Sequence, residues 1–309
     1  MMKSLRLTLA LSLAVVALPI FSATTAQSAG ASSTPQCVVS LSPTATETLF
    51  AIGAAQQVQA VDTDSDFPKS GLPTKRVNAL NPSVESVVGI CKVTKAHPSA
   101  KPDLVIISYD ANDIQQKLTG LGIKVISQDA PTTLTGAYQQ ITQLGELTGH
   151  KKKAATMVAS LRSTIAKDIA SVPKHPKKIV TTYYELDPTY YSLASNTFVG
   201  SLLKALGVTN IANAESTSAD AGYPQLSAEY IVSANPKLIF LADTVCCHVN
   251  QAVVAKRTGF SSVSAVVHHH VVGLNDDIAS RWGPRLGILM NQLTTGVKST
   301  LADSALWKK

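Results

Sequence analysis

The run TGAYQQITQLGELTGHKKKAATMVASLRSTIAKDIASV, Thr135 to Val172, decides the architecture. Two helix-like stretches meet at Thr148-Gly149-His150, where a glycine and a following basic triplet mark an end and a restart. In the second stretch Ala154, Val158, Leu161, Ile165, Ile169 and Val172 recur three or four residues apart, one stripe on a helix. Lys151, Lys152, Lys153, Arg162 and Lys167 take the other faces, and Pro173 with Pro176 stops the run. Such a helix reaches roughly 30 Å, the width of a small domain. A helix of a bundle would carry the same stripe. Its setting favours a different role, because a strand-and-helix half precedes it and a similar half follows. The run reads as a brace joining two lobes.

Outward from the brace, both halves alternate short apolar runs with amphipathic ones. Before it, strands are predicted over Val38 to Leu41, Val58 to Val61, Pro102 to Ile107 and Ile123 to Ile126. Helices are predicted from Ser42-Pro43-Thr44 to about Ile52, closed by Gly53, over Val84 to Ile90, and over Asp113 to Leu121. Asp62 to Pro82 is rich in turn residues. After the brace come strands over Ile179 to Tyr184, Val208 to Ile211, Leu238 to Leu241 and His270 to Leu274. Helices are predicted over Phe198 to Leu206, Ser227 to Ala234, Val253 to Val267 and Pro284 to about Leu301. This alternation predicts parallel, doubly wound sheets. The expected fold is α/β, two doubly wound lobes joined by one long helix. Expected boundaries are 1–29 (leader), 30–134 (first lobe), 135–172 (helical segment) and 173–309 (second lobe). Each half also holds a glutamate opening a short helix, then a proline, then an apolar strand. Glu85 precedes Pro102 and Leu104-Val105-Ile106, and Glu229 precedes Pro236 and Leu238-Ile239-Phe240. The halves read as a pseudo-twofold repeat.

The chain has 309 residues, 45% hydrophobic and 15% charged, the composition of a globular body of two ordinary domains. A net charge of +7, with no Arg/Lys run interleaved with aromatics, gives no support for nucleic-acid binding. Lys3 and Arg6 precede an apolar run from Leu7 to Ile20 and small residues at Ala23, Ala26 and Ala29, the pattern of a cleaved secretory signal. The expected location is periplasmic or extracellular. Cys37 follows Thr34-Pro35-Gln36, not a leucine and small residues, so a lipid anchor finds no support. In an exported chain, four cysteines favour disulfides. The simplest pairing is Cys37 with Cys91, leaving Cys246 and Cys247 as a vicinal pair or two free thiols. Three complete connectivities remain open.

Several of these stretches, in order, resemble the substrate-binding proteins of ABC importers for cobalamin, ferric siderophores and haem. They are Ser40-Leu41-Ser42-Pro43-Thr44-Ala45-Thr46-Glu47, Lys101-Pro102-Asp103-Leu104-Val105-Ile106, Leu121-Gly122-Ile123-Lys124-Val125, Leu203 to Ile211, and Ser280-Arg281-Trp282-Gly283-Pro284-Arg285. The resemblance covers nearly all of the mature chain. It implies the class III periplasmic-binding-protein fold, a small-molecule ligand held between the lobes, and a monomer serving an ABC permease with its cytoplasmic ATPase. It also implies that Glu85 and Glu229 dock onto permease arginines, an orientation that two carboxylate–arginine forks would fix.

The cleft is expected at the C-terminal ends of the strands, where α/β sheets bind ligands. Loops arriving there carry Ser42, Pro43, Thr44, Asp64 and Tyr109. Tyr190, Tyr191 and Trp282 are candidates to stack on a flat ligand, with Arg281 and Arg285 at its anionic edge. Arg285 reads equally as a cap at the start of the last helix. Where cobalamin binders carry aromatic residues, this chain has Asp64 and Ala79, and Tyr109 alone is retained. That departure leaves a ferric siderophore or a corrinoid-type chelate as the expected cargo. Haem would want an axial tyrosine or histidine. No cofactor beyond such a chelate is implied.

Two other classes compete. Cys246-Cys247-His248 and His268-His269-His270 carry the ligand types of a zinc or copper site, and a bare zinc or manganese binder on this scaffold is the alternative. Consecutive histidines entering a strand point to alternating faces, which disfavours three ligands on one ion. A secreted hydrolase lacks its signatures: no Gly-x-Ser-x-Gly, His-Glu-x-x-His, Gly-x-Gly-x-x-Gly or phosphate loop is present. No catalytic residue and no metal ligand is assigned.

Overall fold

Ser42 turns the first strand into the first helix. Its side chain accepts the Ala45 N–H while Pro43, with its fixed φ, occupies the first helical turn. The helix closes at Gly53, whose φ of 92° only glycine adopts without strain. The computed structural model describes residues 34–95, 97–174 and 177–308. The expected leader and its cleavage site lie outside them.

The first half contains β1 (Val38–Leu41), α1 (Pro43–Ile52), β2 (Val58–Asp62), β3 (Arg76–Val77), α2 (Val84–Val87), β4 (Leu104–Ile107), α3 (Ile114–Gly120) and β5 (Lys124–Ser127). Its five strands form a parallel sheet in the order β3-β2-β1-β4-β5. β1 and β4 are buried along their whole length, as central parallel strands covered on both faces must be. The short edge strand β3 falls inside the stretch read as turns.

The middle is α4 (Leu134–Leu147) and α5 (Lys151–Ser171). α5 is 21 residues long. Ala154, Leu161 and Ile165 are buried, and Val158 and Ile169 are half-buried. Val172 has already left the helix, at φ −73° and ψ 122°, ahead of Pro173. α4 and α5 pack so closely that a side chain at Gly145 would collide with Ala154.

The second half contains β6 (Thr181–Glu185), α6 (Phe198–Ala205), β7 (Thr209–Asn210), α7 (Ala228–Ala234), β8 (Leu238–Leu241), α8 (Gln251–Ala255), α9 (Ser264–Val267), β9 (Val271–Gly273), α10 (Asp276–Ser280) and α11 (Leu286–Ala302). Its parallel sheet runs β7-β6-β8-β9. That order repeats β2-β1-β4-β5, so the halves share a topology, and β3 has no counterpart. The helix expected over Val253 to Val267 is broken at Gly259, φ 80°, and α10 lies between the last predicted strand and the last predicted helix, where no element is predicted.

One core cluster crosses the whole body. It runs from Val38, Leu104 and Ile106 through Ile141, Leu161 and Leu289 to Tyr184 and Phe240. Cys37 and Cys91 form a disulfide with Cα atoms 5.9 Å apart, tying the start of β1 to the loop after α2. Closing a loop of this length stabilises a domain by roughly 2–4 kcal/mol. Cys246 and Cys247 are joined to each other. Among the described residues no helix is long and apolar enough to cross a membrane.

Candidate ligand cleft

At the C-terminal ends of β6 and β8 lies a cavity of about 350 Å³, walled by the second half except for Ala130 of the first. Leu186 follows β6, Ala242 follows β8, and Phe198 and Val199 open α6. Asp276, Ala279 and Ser280 come from α10, Trp282 from the segment leading to α11, and Ala130 from the loop after β5. Leu193, Tyr223 and Cys246 complete the lining, which is mostly apolar. Its size lies at the small end of ligand pockets, enough for one apolar part of a larger molecule. Trp282 packs edge-to-face on Phe198, ring centroids 6.3 Å apart, and its Nε1–H donates to Gln140 Oε1 at 2.6 Å. The indole is thereby fixed in orientation in the cavity wall.

The other expected contacts divide. Tyr109 stands 68% exposed just past β4, and Tyr191 is 41% exposed, so both rings are accessible. Pro43 is half-buried and Asp64 is exposed. Ser42 and Thr44, expected beside a ligand, are buried and spent on structure. Ser42 caps α1, and the Thr44 carbonyl accepts the Thr48 hydroxyl at 2.9 Å. Tyr190 also departs from expectation. Its φ of 69° turns the ring onto Phe260, centroids 6.0 Å apart, with Arg257 over its face, so it belongs to the core of the second half.

Arg281 and Arg285 both turn inward, Arg285 into the structural role that the sequence left equally open. Instead of offering guanidinium groups to an anionic ligand, they converge on Glu47 of α1, a carboxylate only 2% exposed. Arg281 donates to Glu47 at 2.9 Å, Asp66 at 2.8 Å, the Asp64 carbonyl at 3.0 Å and Asp277 at 2.5 Å. Arg285 grips both oxygens of Glu47, at 2.9 and 2.5 Å, and lies over the Phe67 ring. Burial works against the Arg281 charge, yet Glu47 and Asp66 raise its pKa above the ordinary value. Asp66 loses some solvation, but Lys69 and Arg281 outweigh that loss and hold it at about 2. This network bridges the two halves. Glu47 lay in a quoted motif, but the residue types alone do not tell an inward arginine from an outward one.

A second buried acidic group lies where β6 and β8 end. Glu185 is paired with Arg257 at 2.6 and 2.7 Å, and Asp243, fully buried at the end of β8, has no hydrogen-bond partner for either oxygen among the described residues. Burial and the neighbouring Glu185 charge push the Asp243 carboxyl up to about 7. The folded chain therefore keeps a proton that the unfolded chain, with an ordinary value of 3.8, releases. Stability from this group is complete below the unfolded value and is lost as pH rises toward 7. Asp243→Asn should flatten that loss. Thermal denaturation at pH 5 and pH 8 should show the variant gaining on the parent chain at the higher pH, by a few degrees in Tm. A constant difference between the two pH values would sink the assignment.

Two of the three consecutive histidines share one carboxylate. His268 and His270 stack and both reach Asp303, at 3.0 and 3.2 Å, while His269 turns to Gln251. Cys246 and Cys247 are taken up in their disulfide. Among the described residues no group of three or more His, Cys, Asp or Glu side chains is placed to hold an ion.

Glu85 and Glu229 occupy equivalent places. Each is the second residue of a short helix capped by a serine, Ser83 in α2 and Ser227 in α7, and each is exposed. The Glu85 backbone and the Ser83 side chain lower the Glu85 pKa.

Two parallel sheets of shared topology, a long helix between them and a cavity at the strand ends define a two-lobe binding-protein architecture. Comparison with known proteins makes the class specific. Residues 38–278 match the family model described as periplasmic binding protein, and the chain belongs to that family, in the type III class of ABC-importer binding proteins. It is 33% identical over 262 residues to an uncharacterized ABC transporter substrate-binding lipoprotein of Bacillus subtilis, covering 82% of this chain and 76% of that one. It is 29% identical over 275 residues to a cobalamin-binding protein of Halobacterium salinarum, covering 87% and 71%. A solved structure of a possible iron-binding periplasmic solute-binding protein from Staphylococcus epidermidis superposes with a TM-score of 0.70 at 25% identity, covering 85% and 99%.

Proposed function

We propose that this chain is exported, captures a metal-chelate nutrient of ferric-siderophore or corrinoid type between its two halves, and delivers it to an ABC import permease. Residues 30–134 and 173–309 act as the lobes and 135–172 as the helical segment joining them. The observation that carries the reading is the apolar cavity at the strand ends, walled by Trp282 and Phe198 and facing Ala130 of the other half. An organic chelate presents an apolar surface suited to such a wall, whereas a bare ion needs convergent charged or imidazole ligands. Trp282, Tyr109, Tyr191, Pro43 and Asp64 are the proposed contacts. Because the Glu47 network and a continuous core join the halves, capture involves a small closure and not a wide hinge swing. Glu85 and Glu229 form the docking pair. The relatives named for cobalamin and iron support the same class of cargo.

Native mass spectrometry of the mature chain mixed with cobalamin, cobinamide, haem, ferric siderophores and bare divalent metals tests this. One chelate retained at unit stoichiometry is the expected result, and Trp282→Ala should weaken its retention. Retention of bare metal alone would overturn the chelate reading.

A further inference from the structure

The loop after β8 carries chemistry that capture by itself does not use. Cys246 and Cys247 form a disulfide between neighbouring residues, both are exposed, and Cys246 stands in the cavity wall with Leu186, Phe198 and Trp282. The loop is pinned from behind. Asp276 accepts from the backbone of Val245 at 3.0 Å and of Cys246 at 2.7 Å, and the Cys247 N–H donates to the Asp243 carbonyl at 3.3 Å. The chain's other disulfide, Cys37–Cys91, lies between residues only 2% and 5% exposed. Exchange requires a thiolate to reach a disulfide sulfur, so access separates the two bonds.

We propose that the Cys246–Cys247 ring is a ligand contact of the cleft whose redox state sets affinity, a role that rests on the capture reading above. Closed, the ring presents polarisable sulfur to an apolar or aromatic part of the chelate, beside the Trp282 indole. An external dithiol opens it. Its two thiols supply two electrons and two protons, the S–S bond becomes two S–H groups, and the dithiol closes to its own disulfide. The opened pair regains side-chain freedom that binding must then remove.

The test uses the mature chain purified after export, with cyanocobalamin, dicyanocobinamide, haemin and ferrioxamine B as probes. A thiol titration of the unfolded, untreated chain should find no free thiol. Mild dithiothreitol should open Cys246–Cys247 and spare Cys37–Cys91, as peptide mapping after alkylation would read. The probe that the oxidised chain retains should bind about tenfold more weakly to the reduced chain and to Cys246→Ser with Cys247→Ser. Reoxidation should restore the affinity, which keeps the test valid if the serine variant folds poorly. Equal affinity in the oxidised, reduced and serine forms overturns this role and leaves the capture reading standing. Free thiols at Cys246 and Cys247 in the untreated chain overturn it as well. An oxidised chain that retains none of the probes brings down the capture reading and this role together.

Discussion

Uptake of the cargo is expected to fall about a hundredfold or more when Glu85→Arg and Glu229→Arg are combined, because each lost charge pair at an interface costs roughly 2–5 kcal/mol. Neither glutamate lines the cavity, and both are exposed, so ligand affinity should stay within about twofold. The equivalent positions of α2 and α7 carry the argument. A serine cap, a glutamate one residue into the helix and a following parallel strand occur once in each half. Helix dipoles alone favour an acidic residue there, by about 0.3–1 kcal/mol apiece. A merely local role thus predicts a small fall in Tm and unaltered transport. Labelled-chelate uptake by cells carrying the variant in place of the parent chain decides between them. Transport that survives the double reversal removes the docking assignment.

Glu47→Gln should be among the most damaging single changes to stability. The substitution keeps the shape of the side chain but takes from Arg285 its carboxylate partner and leaves Arg281, 7% exposed, with only Asp66 and Asp277. Removing one partner of a buried pair costs about 3–5 kcal/mol, because the remaining charge stays desolvated. For a chain of this size that corresponds to a fall in Tm of roughly 10 °C. Calorimetry of the parent and variant reads it directly. A fall no larger than that of a surface exchange such as Lys167→Gln would show that the network is solvated and contributes little.

Much of the architecture is legible in the sequence. Strands such as Val38–Leu41, Leu104–Ile107 and Leu238–Leu241 are short apolar runs bounded by turn residues, and the stripe of α5 has an unambiguous period. Capping chemistry at Ser42 and Gly53 is equally local. The paired glutamates were visible because the repeat that contains them is a matter of order along the chain. Hidden from this reading were β3, two residues held by pairing with β2, and α10, a five-residue helix capped by Asn275. β3 is held by a partner strand, and Asp276 of α10 also accepts from the Val245 and Cys246 backbones, far back along the chain.

The site was less legible than the fold. Trp282, a candidate from its residue type, and Phe198 both line the cavity, but nothing in the neighbourhood of Phe198 marks it as a wall. Tyr190 and Arg281 carry the residue types that a flat, anionic ligand would recruit, yet one ring packs on Phe260 and one guanidinium is taken up by Glu47, Asp66 and Asp277. Sequence by itself determined the elements, their alternation and the twofold repeat, because periodicity and capping act within a few residues. Only the tertiary structure decided which side chains face the cavity and which face each other. That choice is set by burial and charge pairing between segments more than two hundred residues apart, such as Glu47 and Arg281, |i−j| = 234.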